Sequence, residues 1–124
     1  MSAIRSYRDL DAWKLSMQLV KECYRVTARF PRTEQFGLSQ QLQRAAVSIP
    51  SNIAEGNGSR RRQLYAHHLN IALGSLAEVE TQLALAVELE FVSKATVTTA
   101  EDLAAHTGRV MLALVHALEA PRAS

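Results

Sequence analysis

The chain has 124 residues, 48% of them hydrophobic, and only five glycines and three prolines, which predicts one ordered domain over residues 1–124 and excludes a disordered protein. Its formal net charge is only +2, yet residues 1–62 carry eleven bases and five acids, whereas residues 63–124 carry three bases and seven acids. A single cysteine, Cys23, excludes an internal disulfide framework. No apolar run reaches the ~18 residues of a membrane span and no secretory signal opens the chain, so we expect a cytoplasmic protein without a membrane partner.

The first predicted helix covers about residues 9–29 and ends before Pro31, because proline biases the preceding residue away from helical geometry. Apolar side chains recur along it at three- and four-residue steps, which predicts that they face the core: Leu10, Trp13, Met17, Val20 and Tyr24. Basic side chains share another side and continue beyond the helix: Lys14, Lys21, Arg25, Arg29 and Arg32.

A proline lies inside the second predicted helix, which covers about residues 36–56. Pro50 removes one backbone hydrogen bond and collides with the carbonyl of Ala46 at a cost of ~3 kcal/mol, which predicts a kink held by packed neighbours. Ser48, Asn52 and Glu55 lie at three- and four-residue steps on this helix. They either line a polar pocket or satisfy the backbone groups that the kink frees, and the second interpretation is favoured.

A long third helix is predicted over about residues 60–91, after a break at residues 56–59 where glycines can take the left-handed conformation. Its core positions repeat at heptad spacing: Leu69, Ala72, Leu76, Val79, Leu83 and Ala86. A second apolar group, Ile71, Leu85 and Leu89, lies on another side near Glu78, and this side is predicted to be a subunit interface. Glu80 is placed nearer the core, where it is expected to form a buried polar network with Gln41 and Arg44 that fixes helix register.

The fourth predicted helix covers about residues 98–119. It opens at Thr98 and Glu101, which have the spacing of a capping box. Its inward stripe is predicted to consist of Leu103, Val110, Leu114 and Leu118. Four helices with short connections predict an all-α fold, an antiparallel up-down-up-down four-helix bundle with a proline-kinked second helix.

Catalytic and metal-binding patterns are weak in this chain. His67 and His68 are adjacent, so they project about 100° apart on a helix and cannot chelate one ion together. No nucleophile motif accompanies them, and the least poor candidates for an active site are Asn52, Glu55 and a histidine near the kink. We therefore predict a protein that is not an enzyme and needs no metal or cofactor.

Three consecutive arginines, Arg60, Arg61 and Arg62, begin the third helix, although a helix dipole favours acids at that end. Together with the exposed amides of the helix they would attract RNA phosphates or the acids of another protein. Tyr65, one turn on, could stack on a base, although a core or interface role is favoured. The basic residues of the first helix could likewise bind RNA phosphates or the acids of another protein. A third interpretation is that they form a solvated face without a partner.

Five segments carry a resemblance to a known family: residues 10–13, residues 30–31, residues 34–38, residues 44–56 with the sequence RAAVSIPSNIAEG, and residues 71–82. The chain resembles the four-helix-bundle family encoded in intervening sequences of bacterial 23S ribosomal RNA, which is related to the accessory variability proteins of diversity-generating retroelements. It departs from the family pattern at Glu90, where relatives usually have glycine before an aromatic residue.

The resemblance implies a homopentamer that associates with RNA. We therefore predict a non-enzymatic homo-oligomer that binds nucleic acid through its basic surface, with little sequence selectivity because no base-reading module is present. The alternative is a protein adaptor, similar to the accessory protein that works with a retroelement reverse transcriptase.

Overall fold

The structure, a computed structural model, describes residues 6–121, and these residues form an all-α bundle. A short 3₁₀ turn at Tyr7–Asp9 precedes helix α1, Asp11–Thr27, and a second 3₁₀ turn at Arg32–Glu34 precedes helix α2, Leu38–Gly58. Helices α3, Arg62–Glu88, and α4, Lys94–Glu119, complete the bundle. Each helix packs against its two neighbours, with α1 against α4 closing the ring, so α1 lies diagonally across the bundle from α3.

The predicted core is correct for α3, where all six heptad positions are buried. For α1 the predicted core is wrong, because another side of the helix faces the core. Met17 and Tyr24 are 42% and 47% exposed, and Leu10, Trp13 and Val20 are only partly buried. The buried face is formed instead by a mixture of small and aliphatic residues: Ala12, Ser16, Leu19, Cys23, Val26 and Thr27. The apolar stripe predicted for α4 is likewise displaced to the edge of the core, because Ala100, Ala104 and Thr107 allow close packing at the centre.

Pro50 is buried inside α2, as predicted, and the helix continues through it to Gly58. Two helix ends differ from the prediction. The left-handed conformation after α2 belongs to Arg60, with φ 61°, and not to a glycine. Ser93 is the N-cap of α4, and its side chain accepts a hydrogen bond from the backbone N–H of Thr96, so the capping box predicted at Thr98 is wrong. The Thr98 hydroxyl lies one turn inside the helix and donates to the carbonyl of Lys94.

The end of α3 explains the unusual glutamate at position 90. The N–H of Glu90 donates to the carbonyl of Val87 at 3.0 Å and that of Phe91 donates to Ala86 at 2.9 Å, the two bonds of a Schellman motif. This geometry requires a left-handed residue, and Glu90 has φ 62°. Phe91 then packs on Phe30 with ring centroids 5.7 Å apart. A residue with a side chain is therefore strained at position 90.

Glu90→Gly is expected to stabilise the protein by about 1 kcal/mol, because glycine adopts the left-handed conformation without a steric cost. Thermal unfolding should show a midpoint about 4 °C higher. Glu88→Gly, a matched change two residues earlier and inside α3, should lower the stability by a similar amount. Equal losses in both variants would contradict this account of the helix end.

Cys23 lies in the centre of the core and is fully buried. Burial, with a smaller contribution from the carboxylate of Glu22, raises the pKa of its thiol to about 12. The thiol therefore stays protonated at neutral pH and fills space as a small apolar group.

Candidate functional site

A polar cluster joins α2 to α3 beside Pro50. The side-chain amide of Asn52 donates to the carbonyl and hydroxyl oxygens of Ser48 at 2.9 and 3.0 Å, and its Oδ1 lies 3.0 Å from Nδ1 of His68. The Ser48 hydroxyl also pairs with that of Ser75 at 2.8 Å. Two of the residues predicted to serve the proline segment thus connect to the neighbouring helix. The carbonyl that Asn52 caps is that of Ser48, and not that of Ala46.

The third predicted residue of this group, Glu55, reaches the same histidine. Its Oε2 lies 3.4 Å from Nδ1 of His68, and 70% of the Glu55 side chain is exposed. Because the oxygens of Asn52 and Glu55 both accept hydrogen bonds, Nδ1 carries the proton in this arrangement. Asn52 and Glu55 thus orient the histidine ring. The hydrogen bond between the two serine hydroxyls, one on each helix, helps to hold α2 and α3 in register.

Gly56 is the reason that α3 can approach α2 so closely. A Cβ atom at this position would lie 2.8 Å from Cβ of His68 and 3.2 Å from the carbonyl oxygen of Tyr65. Gly58, two residues later, has open space around it. Gly56 is therefore a packing glycine, and its role is to admit the third helix.

The predicted buried network of Gln41, Arg44 and Glu80 is wrong, because all three residues are exposed. Gln41 and Arg44 line a shallow groove between α2 and α3, and Glu78 lies on the opposite wall. The buried polar residue here is Gln82, whose Oε1 has no hydrogen-bond partner among the described residues. Arg44 and Glu80 lie on helices that are neighbours, but Glu80 does not line the groove between them.

The basic residues of α1 lie on the outside of the bundle. Lys14, Lys21 and Arg25 are exposed, and Arg25 forms an ion pair of 2.6 Å with Glu22 on its own helix. Arg29 and Arg32 follow at the end where α1 meets α2, and both are exposed. Within residues 6–121, neither of these two arginines has an ion-pair partner.

The three consecutive arginines are at the opposite end of the bundle and have different roles. Arg62 donates to the carbonyls of Ala117 and Leu118 at 3.0 and 2.9 Å, at the C-terminal end of α4. Its charge opposes the dipole of α3 but complements that of α4, which explains an arginine at this position. Arg60 and Arg61 are exposed. The described part of the chain offers them no acidic partner.

The two groups of free arginines are separated by the length of the bundle. We name Arg29 and Arg32 the upper pair and Arg60 and Arg61 the lower pair. Helix α2 joins these ends with 21 residues, a length of about 30 Å at 1.5 Å per residue. The basic residues therefore form two separate sites and not one patch.

Two aromatic residues near the two pairs differ in exposure, and Tyr65 has the core position that was favoured for it. Tyr65 is partly buried against the core, and burial raises the pKa of its phenol while the Asn57 side chain lowers it. Phe36 is the large hydrophobic side chain that stands out, with 82% of its surface exposed. Sequence analysis gave it no functional role, although an isolated phenylalanine between two helices, outside any periodic stripe, is a usable signal.

The second apolar group of α3, predicted to be a subunit interface, is exposed on the surface of the bundle. Ile71, Leu85 and Leu89 are 41%, 43% and 54% exposed, and Leu64 extends the row with 37%. Glu78 is exposed within it at the same heptad spacing. We name these five residues the α3 stripe. It lies on the outside of the bundle, so the core of one chain does not use it.

A second apolar surface lies between α1 and α2. It is lined by the side chains that were predicted to form the core of α1 and by their neighbours on α2: Trp13, Met17, Val20, Val47, Pro50 and Ala54. We name it the α1–α2 groove. Lys14 and Lys21 are exposed on the same helix as its first three residues. The displaced stripe of α1 is thus a surface feature.

Neither a metal centre nor a membrane segment emerges from residues 6–121. No group of three or more His, Cys, Asp and Glu side chains there could hold a metal ion. In the same residues no helix combines the length and apolar character needed to cross a membrane.

The chain is thus an all-α four-helix bundle with short connections. A proline lies inside its second helix, and a polar cluster lies between α2 and α3. A profile of the family described as 23S rRNA-intervening sequence protein matches residues 8–113, so the chain belongs to that family. A crystal structure of a protein of unknown function from the S23 ribosomal protein family of Bacteroides thetaiotaomicron has a TM-score of 0.75 at 20% identity. The match covers 84% of this chain and 97% of that one, and it shows a shared fold. No curated protein matches the sequence significantly.

Proposed function

We propose that this protein is a non-enzymatic homo-oligomer that binds RNA through the arginines at its two ends. The observation that carries the proposal is that the upper and lower pairs are exposed and have no acidic partner in the described structure. Arg62, in contrast, is engaged with α4. Free guanidinium groups at exposed helix ends are suited to phosphate oxygens, which they can bind through two parallel hydrogen bonds.

The family description supports RNA over other polyanions, since its members are named for intervening sequences of 23S rRNA. The helices formed by residues 6–121 include no base-reading module, so binding would be dominated by phosphate contacts. Such binding releases counterions and weakens steeply as salt rises.

Self-association is supported by two unpartnered apolar surfaces with complementary charge. The α1–α2 groove accompanies the bases of α1, and the α3 stripe includes Glu78. Because α1 and α3 are diagonal in the bundle, these surfaces lie on different sides of one molecule. The groove of one copy can therefore receive the stripe of the next, a head-to-tail contact that closes into a ring. A ring of five is the assembly that the family resemblance implies.

The absence of an enzymatic role is supported by the chemistry of the polar cluster. Its hydroxyl groups, those of Ser48 and Ser75, are bonded to each other, and His68 is held by Asn52 and Glu55. Each group thus serves the contact between α2 and α3. A structural role accounts for all five residues.

Replacing either pair of free arginines by glutamine should weaken RNA binding. For a labelled single-stranded RNA, the slope of log affinity against log salt is expected to become shallower by about 1.4, since each lost phosphate contact contributes ~0.7. The measurement is fluorescence anisotropy at several salt concentrations. Arg62 is left intact in both variants, because its loss would disturb the end of α4.

The double variant Arg44→Gln and Arg109→Gln is the matched control. It removes the same charge from exposed positions inside α2 and α4, away from the two ends of the bundle. Its slope should remain that of the wild type. An equal change in all three variants would indicate a general effect of net charge and would contradict end-specific binding.

A wild-type protein that ignores RNA at low and physiological salt would overturn the proposal. The protein adaptor would then be the better hypothesis, with the free arginines meeting acids of a partner such as a reverse transcriptase. Co-elution of the two purified proteins after nuclease treatment would test that role directly.

A further inference from the structure

Phe36 is the most exposed large hydrophobic residue among those described, with 82% of its surface open. It lies in the turn between the 3₁₀ segment Arg32–Glu34 and α2. It is not among the partly buried apolar residues that pack against the core. The packing of a single chain therefore does not explain a phenylalanine at this position.

The turn that carries Phe36 is firmly built. Backbone N–H groups of Glu34 and Gly37 donate to the carbonyls of Pro31 and Glu34 at 2.9 and 3.0 Å. The carboxylate of Glu34 accepts a further bond from the N–H of Leu38 at 3.1 Å, at the start of α2. A Cβ atom on Gly37 would lie 2.8 Å from this carboxylate, so the Glu34 side chain packs closely against the glycine. The exposure of Phe36 thus follows from a defined turn.

The surroundings of Phe36 combine positive charge with polar groups. The upper pair, Arg29 and Arg32, lies in the preceding segment and is exposed. A groove at this end is lined in part by Arg32, by Gln35 next to Phe36 and by Gln43, whose amide donates to the hydroxyl of Thr27 at 3.0 Å. Aromatic faces with nearby cations and hydrogen-bonding groups are the combination that binds single-stranded nucleic acid.

We propose that Phe36 is a stacking platform for an unpaired base of single-stranded RNA, with Arg29 and Arg32 binding the adjacent phosphates. This inference rests on the RNA-binding function proposed above and names the form of RNA that the upper end takes. Stacking on an aromatic ring is tolerant of sequence, since every base has a π face. A duplex, whose bases are already stacked and paired, would gain nothing from Phe36.

The test compares Phe36→Leu with Phe36→Trp. Leucine keeps an apolar side chain but has no aromatic face, whereas tryptophan enlarges that face. With a labelled single-stranded oligoadenylate, the leucine variant should bind about 10-fold more weakly, and the tryptophan variant at least as tightly as the wild type. The salt slope should stay unchanged in both, because stacking involves no counterion. Binding to a duplex RNA of equal length should be the same for all three proteins.

Three other outcomes would contradict either the proposed function or the role of Phe36. A wild type that binds neither RNA would overturn the proposed function itself. A wild type that binds the single strand, with both variants equal to it, would overturn only the role of Phe36. A leucine variant with a lower mass in sedimentation velocity would assign Phe36 to a subunit contact and would also overturn the stacking role.

Discussion

Gly56→Ala is expected to lower the free energy of unfolding by about 3 kcal/mol, the upper part of the range for overpacking a tight interior. The new methyl group would lie 2.8 Å from Cβ of His68 and 3.2 Å from the backbone oxygen of Tyr65. Neither of these atoms belongs to the flexible end of a side chain, so relief requires α2 and α3 to separate. That separation would also stretch the bond of 3.0 Å between Asn52 and His68.

Gly58→Ala is the matched control, made two residues later on the same helix. No atom lies within 4 Å of the added methyl group, and the glycine has no positive φ. Alanine should therefore stabilise α2 by about 0.5–1 kcal/mol through a less flexible unfolded chain. Urea unfolding of both variants measures the difference. Equal losses in the two would show that the effect arises from helix flexibility and not from the contact between α2 and α3.

Leu85→Lys is expected to prevent the proposed self-association. A lysine within the α3 stripe would place an unpaired charge in an apolar contact, and dissociation should become at least about 100-fold more favourable. The side chain is 43% exposed in the single chain, so the fold itself should survive. Sedimentation velocity over a range of concentrations gives the mass, and circular dichroism reports the helix content.

Leu112→Lys provides the comparison, because Leu112 is 46% exposed on α4, outside both proposed contact surfaces. This variant should keep the mass of the wild type. Dissociation of Leu112→Lys alone would place the interface on α4 and would contradict a contact through the α3 stripe. A wild type that is already monomeric would contradict self-association altogether.

The sequence predicted α3 best because its core stripe consists of large apolar residues and alanines at unbroken heptad spacing. On α1 two stripes compete. The pattern of large residues such as Trp13 and Met17 predicts that their side faces the core. Ala12, Ser16 and Cys23 are buried instead, because small side chains let neighbouring helices approach. Hydrophobic periodicity alone cannot identify a buried face made of small and hydroxyl-bearing residues.

The polar cluster was predictable only in part. The spacing of Ser48, Asn52 and Glu55 places them on one side of α2, but their partners His68 and Ser75 come from α3. Which residues of α3 meet them depends on the relative register of two helices, and no local pattern contains that information. Arg62 was misjudged for the same reason, because the carbonyls that it binds are more than fifty residues away in sequence.

The buried thiol of Cys23 gives the protein an internal reporter of its own opening. In the closed bundle the sulfur is covered on every side and, with a pKa near 12, it is not a thiolate at neutral pH. A thiol-specific reagent can therefore modify only molecules in which α1 has come away from the other helices. At high reagent concentration the rate of labelling equals the rate at which the bundle opens.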